Sequence, residues 1–289
     1  MERHVFKFGG GSWALVIPKA WVEKNGINKN GVVYMGEDER GNLVVSTKGT
    51  AEFDAELVIS SKIKPETAAR WVFLYYRYGV KKLRVYSKEG LRRHFKTIQT
   101  TVEKFCPGFE VINISNTELV LQSIVDIKEI SADKLLNKLR SLIESELHEL
   151  SAGRVEGIGK LEELVNRTFM LSIRYINITQ GRDSIKYFKV YQLLETVSDQ
   201  LYELSKLNKV SNSSKLFAAL ENELDISIKA FYGDMGVLAQ AVEIKDSIVS
   251  MLKGAGAFEA YLVTEAAKNM VKVAEFALNV KSNETGAFL

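Results

Sequence analysis

Two sets of residues have types and spacings suited to chemistry. Glu195 and Asp199 stand four apart in a helical pattern, with Tyr202 and Glu203 close behind. At about 100° per residue both carboxylates fall opposite the Val197 and Leu201 stripe, on an exposed or partner-facing side. Carboxylates at i and i+4 ligate hard or borderline cations through oxygen, so the cofactor class is a divalent metal: iron, zinc, manganese or magnesium. The same spacing also describes a solvated helix face. The second set is basic. Arg3, His4 and Lys7 flank one short strand, and Lys19 starts the first helix. Bases held by β-structure neutralise phosphates and reach base edges, although an ordinary surface has the same charge count.

Other chemistries find little support. The chain has no nucleophile motif, P-loop or dinucleotide fingerprint, and Gly9-Gly10-Gly11 lacks the spacing and the long helix that a phosphate cradle needs. His4 and His148 are isolated. The single cysteine, Cys106, excludes a disulfide framework and any multi-cysteine metal centre. Three histidines, His4, His94 and His148, argue against a histidine-built site. The chain does not read as an enzyme.

The elements that position these residues change character twice. Residues 1–50 read β-β-α-β-β: His4 to Phe8, Trp13 to Ile17, a helix over Lys19 to Lys24 opened by Pro18, then Val32 to Gly36 and Leu43 to Ser46 around a polar 38–42 turn. One short helix and four short strands bury too little surface to stand alone, so an interlocked homodimer is expected, its shared core built from Trp13, Leu15, Ile17, Trp21 and Val33. Residues 54–127 read β-α-β-α-β-β: strands at Glu56 to Ser60, Lys82 to Tyr86, Phe109 to Ile114 and Leu119 to Val125, helices at Pro65 to Tyr78 and Lys88 to Phe105. Trp71, Phe73, Tyr75, Tyr76 and Tyr78 are expected to pack rather than to stack on bases. From Ser131 onward three- and four-residue apolar spacing predicts six helices, about 131–151, 154–180, 183–208, 212–232, 237–253 and 257–281. Their short connections make them antiparallel neighbours in two sets of three.

The 289 residues allot two or three domains at roughly 150 residues each. With 46% hydrophobic and 26% charged residues, the composition is that of a packed soluble protein. No apolar run is long enough to span a membrane, and the first eleven residues lack the apolar region of a secretory signal, so a cytoplasmic, non-membrane-embedded protein is expected. The net charge of +3 conceals a segregation: residues 62–104 hold twelve Lys/Arg against three Asp/Glu, whereas residues 105–289 are net acidic. A basic first third attracts an anionic partner.

The order Val5-Phe6-Lys7-Phe8-Gly9-Gly10-Gly11-Ser12, Val16-Ile17-Pro18-Lys19-Ala20-Trp21, Gly26-Ile27 and Gly31-Val32-Val33-Tyr34 resembles the AbrB/SpoVT/MazE family. That resemblance implies a swapped-hairpin β-barrel dimer that binds DNA, with Arg3, Lys7, Ser12 and Lys19 as the DNA-binding residues. The six-helix region resembles the PhoU phosphate-uptake regulators, whose signature is Glu-x-x-x-Asp on the third and sixth helices. Glu195 and Asp199 match it on the third. On the sixth, Glu265 and Asn269, or Thr264 and Lys268, stand where the second acidic pair would be.

The fold expected is thus multidomain α+β: a DNA-binding head over 1–50, a small α/β domain over 51–130 and a PhoU-like all-α six-helix bundle over 131–289, similar to archaeal phosphate-uptake regulators. The function implied is a homodimeric, DNA-binding transcriptional regulator linked to phosphate homeostasis. The competing reading is an adaptor that restrains a phosphate transporter or its signalling partner without binding DNA.

Overall fold

The computed structural model describes residues 4–28, 31–37, 43–46, 53–179, 184–207 and 213–276. Arg3, the 38–42 turn and the end of the last helix beyond 276 lie outside them. The chain divides into two compact units, Met1–Ala51 and Glu52–Leu289.

In the first unit, β1 (Val5–Phe8) and β2 (Ser12–Leu15) form an antiparallel hairpin with Val5 opposite Leu15 and Phe8 opposite Ser12. Gly9, at φ +68°, supplies the left-handed turn between them. Pro18 is the N-cap of α1 (Lys19–Lys24) rather than its first helical residue; with φ −58° and ψ 129° it is still extended. Gly26, at φ +64°, closes the helix. Strands β3 (Tyr34–Glu37) and β4 (Leu43–Ser46) form a second antiparallel pair. Among the described residues these are two separate two-stranded sheets.

The second unit begins with β5 (Phe53–Val58), α2 (Pro65–Arg77), β6 (Val80–Tyr86), α3 (Arg92–Phe105), β7 (Phe109–Ile114) and β8 (Glu118–Ser123). The sheet order is β5-β6-β8-β7, with β5 parallel to β6 and the other pairs antiparallel. Helices α2 and α3 pack on each other, and Leu57, Leu83, Val85 and Leu121 join Val72, Ile98 and Val102 in one core. Helix α3 starts four residues later than its pattern suggests, because Gly90 sits at φ +99° and breaks the helical path. Of the aromatics, Tyr76 is fully buried, Trp71, Phe73 and Tyr75 pack partly, and Tyr78 is exposed.

Six helices follow among the described residues: α4 (Ala132–Ser151), α5 (Ile158–Thr179), α6 (Ser184–Ser205), α7 (Ser213–Phe231), α8 (Leu238–Met251) and α9 (Ala257–Glu275). Ser131 caps α4 by accepting from the Lys134 amide at 3.2 Å. Helix α5 starts at 158 rather than 154 because the chain spends Ala152 to Arg154 closing α4: Gly153 takes φ +70° and the Arg154 amide reaches back to the Glu149 carbonyl at 2.9 Å. Helices α4, α5 and α6 pack together, as do α7, α8 and α9; α4 meets α7 and α6 meets α9. No helix among the described residues is long and apolar enough to cross a membrane.

The α/β region docks on α5. Arg174, 1% exposed, donates through a guanidinium N–H to the Tyr76 carbonyl at 2.7 Å and lies 5.0 Å from the Tyr76 ring centre. One turn on, Asn177 donates to the Arg77 carbonyl at 2.8 Å. Both acceptors are last-turn carbonyls of α2, groups a helix cannot satisfy internally. Gly79, at φ +89°, lets the chain turn against Ile178; a Cβ there would lie 2.5 Å from the isoleucine side chain.

Candidate nucleic-acid interface and carboxylate cluster

In the head, the strand register puts the DNA-binding candidates Lys7 and Ser12 on different faces. Cross-strand partners share a face, so Lys7 lies with Trp13, Val5 and Leu15, while Ser12 lies with Phe8 on the other side. Lys19 is exposed on the first turn of α1, 3.6 Å from the Glu23 carboxylate. The structure therefore does not gather Lys7 and Ser12 into one group; it puts Lys7 beside the apolar residues Trp13 and Leu15. Those residues form no core in a single chain: Trp13 is 70% exposed, Leu15 is exposed, and Ile17, Trp21 and Val33 are only half-buried. No described side chain of residues 4–46 is buried. Exposed Val5, Phe6, Phe8, Trp13, Leu15, Val16, Val32, Tyr34, Met35 and Leu43 give this small unit far more apolar surface than a solitary fold tolerates.

Glu195 is half-buried and Asp199 exposed, and both sit near Glu162, an acid of a neighbouring helix. Burial together with Asp199 and Glu162 pushes the Glu195 carboxyl up to about 7. Asp199 is raised by burial, Glu162 and Glu203, against a lowering by Lys206. Beneath them lies a residue that spacing along one helix does not single out, Glu146 of α4. It is fully buried, its Oε1 accepts from Ser198 Oγ at 2.7 Å, and its Oε2 has no partner. Burial pushes its carboxyl up to about 8; the Ser198 hydrogen bond opposes this, and Glu162 and Asp199 add to it. Glu146 is therefore largely protonated at neutral pH.

The second three-helix set holds a parallel but different arrangement. Glu223 of α7 is fully buried, accepts from Ser227 at 3.4 Å, and is pushed up to about 8 by burial, with Ser227 and Lys245 opposing. The residues in place of a second acidic pair serve packing and pairing. Asn269 is buried between α6 and α9, 3.5 Å from Gln200, and Glu265 pairs with Lys268 at 2.8 Å.

Among the described residues no group of three or more His, Cys, Asp or Glu is disposed to hold a metal ion. A protonated Glu146 would also have to lose its proton before its orphan oxygen could ligate. Elsewhere, burial pushes the Cys106 thiol up to about 12, which keeps it protonated and unreactive.

Comparison with known proteins bears on the head. The family model described as antidote-toxin recognition MazE, bacterial antitoxin, matches residues 7–53. Neither the curated proteins nor the solved structures return a match. The match runs from within β1 through β2, α1, β3 and β4, so this stretch of the first unit is similar to the MazE antitoxin domain.

Proposed function

We propose that the protein is a homodimeric, DNA-binding transcriptional regulator whose head contacts DNA. The observation that carries this reading is the match of residues 7–53 to a MazE-type domain, a type that typically binds DNA and dimerises. That no described side chain of the head is buried in the monomer supports the dimer, since pairing two copies would remove Trp13 and Leu15 from water. The carboxylate-lined helical region is read as the regulatory part, with phosphate status as the signal implied by its likeness to the PhoU pattern at Glu195 and Asp199.

Two measurements test this. The Lys7→Ala/Lys19→Ala variant should bind mixed-sequence duplex DNA more weakly, with a log-affinity slope against log salt flatter by roughly 0.9 for each phosphate no longer neutralised. A folded variant with unchanged affinity and slope removes these residues from the interface. For the dimer, light scattering should give twice the chain mass, and Trp13→Glu should halve it by placing a charge in the shared core. A wild-type monomer refutes the dimer.

A further inference from the structure

The middle region carries a positive surface that the head does not explain. Strands β5 and β6 are parallel, so both carboxyl ends lie on one rim of the sheet, and the N-termini of α2 and α3 start from it. The two connecting loops there each contain Ser-Lys, Ser61-Lys62 and Ser87-Lys88. They are latched together. The Ser61 amide donates to Glu89 Oε2 at 2.5 Å, Arg93 donates to the Ser61 carbonyl at 2.9 Å, and His94 Nε2 lies 2.8 Å from the Ile63 carbonyl.

Lys62, Lys64, Lys88, Arg92, Arg93 and Lys96 are all exposed on these loops and on the first turns of α3. Glu66 and Glu89 are the only acids in the same stretches, 60–66 and 87–96. None of these six bases makes an ion pair among the described residues. The contrast with the open sheet face is direct: there Arg84 lies between Glu56 at 3.0 Å and Glu118 at 2.8 Å.

The rim's arrangement is costly in isolation. Arg92 and Arg93 occupy the first turn of α3, where the helix dipole disfavours cations. Neither α2 nor α3 receives a side-chain cap; the His94 amide bonds the Leu91 carbonyl at 2.8 Å, while the Arg92 and Arg93 amides before it remain open to an acceptor. At the same rim, Ser87 Oγ and His94 Nδ1 are buried without partners. Unpaired cations and open amides at one end of a latched pair of loops are what phosphate oxygens satisfy. Because the bases are exposed and spread over two loops, they suit a partner lying across the surface, not one enclosed by it.

We propose that this rim, with Lys62, Lys64, Lys88, Arg92, Arg93 and Lys96 as its cations, is a second contact surface for the phosphate backbone of duplex DNA. The proposal rests on the DNA-binding reading above and adds a sequence-independent contact to it.

The test uses the full chain and a labelled mixed-sequence duplex. The rim variant Lys62→Gln/Lys88→Gln/Arg92→Gln should lower affinity at fixed salt and flatten the log-affinity slope by about two to three units. The control Lys81→Gln/Lys82→Gln/Lys104→Gln removes the same charge from the opposite ends of β6 and α3 and should leave the slope within one unit of wild type. DNA should also protect Lys62 and Lys88 from amine acetylation. An unchanged rim variant overturns the proposal; if the Lys7→Ala/Lys19→Ala variant still loses affinity, the head reading stands. Equal losses in rim and control variants overturn it as well, because the effect is then net charge alone. A wild-type chain without affinity for duplex DNA overturns both readings.

Discussion

Arg174→Ala should lower the stability of the second unit by about 3–4 kcal/mol. The guanidinium is 1% exposed and satisfies the Tyr76 carbonyl at 2.7 Å. It also lies over the Tyr76 and Phe109 rings, 5.0 and 5.9 Å from their centres. Truncation leaves a cavity, a Tyr76 carbonyl reduced to its one bond from the Gly79 amide at 3.1 Å, and two rings without their cation. Arg174→Met refills much of the volume and should recover part of the loss, which separates packing from hydrogen bonding. Urea unfolding followed by far-ultraviolet dichroism measures the difference. At a few degrees per kcal/mol for a unit of this size, the melting temperature should fall by on the order of 10 °C. An unchanged midpoint would show that α2 and α5 are held by their apolar contacts alone.

Glu146→Gln should stabilise the protein at alkaline pH and leave it nearly unchanged near pH 5. Burial raises the folded-state carboxyl from 4.5 to about 8. Between those values the unfolded chain is ionised while the folded one keeps its proton, so the folded state binds more protons. Stability therefore falls as pH rises from about 4.5 through about 8, at up to roughly 1.4 kcal/mol per pH unit. A neutral amide of the same shape still accepts from Ser198 through its carbonyl and removes that loss, a gain of about 2–4 kcal/mol at pH 9. Glu223, raised for the same main reason, gives wild type a second contribution of the same sign, so the double variant Glu146→Gln/Glu223→Gln should show a flatter stability profile than either single change. A single variant whose pH profile parallels wild type would refute a buried, protonated Glu146.

The elements are legible wherever a local signal acts alone. Helix α4 ends where Gly153 reverses its backbone, and α1 ends at Asn25-Gly26, both visible as glycines in sequence. The α/β alternation through residue 123 follows from strand and helix patterns of nearly the observed lengths. The start of α3 is misplaced by its pattern because Lys88 and Glu89 are good helix formers, while Gly90 and the latch to Ser61 decide the conformation. The carboxylate cluster is half legible. Glu195 and Asp199 show their spacing, but the partners Glu146 and Glu162 come from other helices, and periodicity within one helix says nothing about its neighbours. Glu146 does leave a trace: it occupies the apolar register between Ile143 and Leu150, where an acid is out of place. The rim of β5 and β6 is visible only as an excess of charge, since the latch that collects those bases joins residues about thirty apart.

The seating of α2 on α5 has a consequence for how the chain comes apart. Residues 53–123 have their own core, and so do the six helices, yet Arg174, Asn177, Ile178 and Met170 belong to the helices while serving the smaller neighbour. A protease that nicks the chain between β8 and α4 would sever the peptide without releasing either piece. Fragments cut there would each expose a torn face, one with the last-turn carbonyls of α2, the other with a bare arginine. Durable fragments must keep residues 53–276 together, and hydrogen exchange across both cores should report one cooperative opening rather than two.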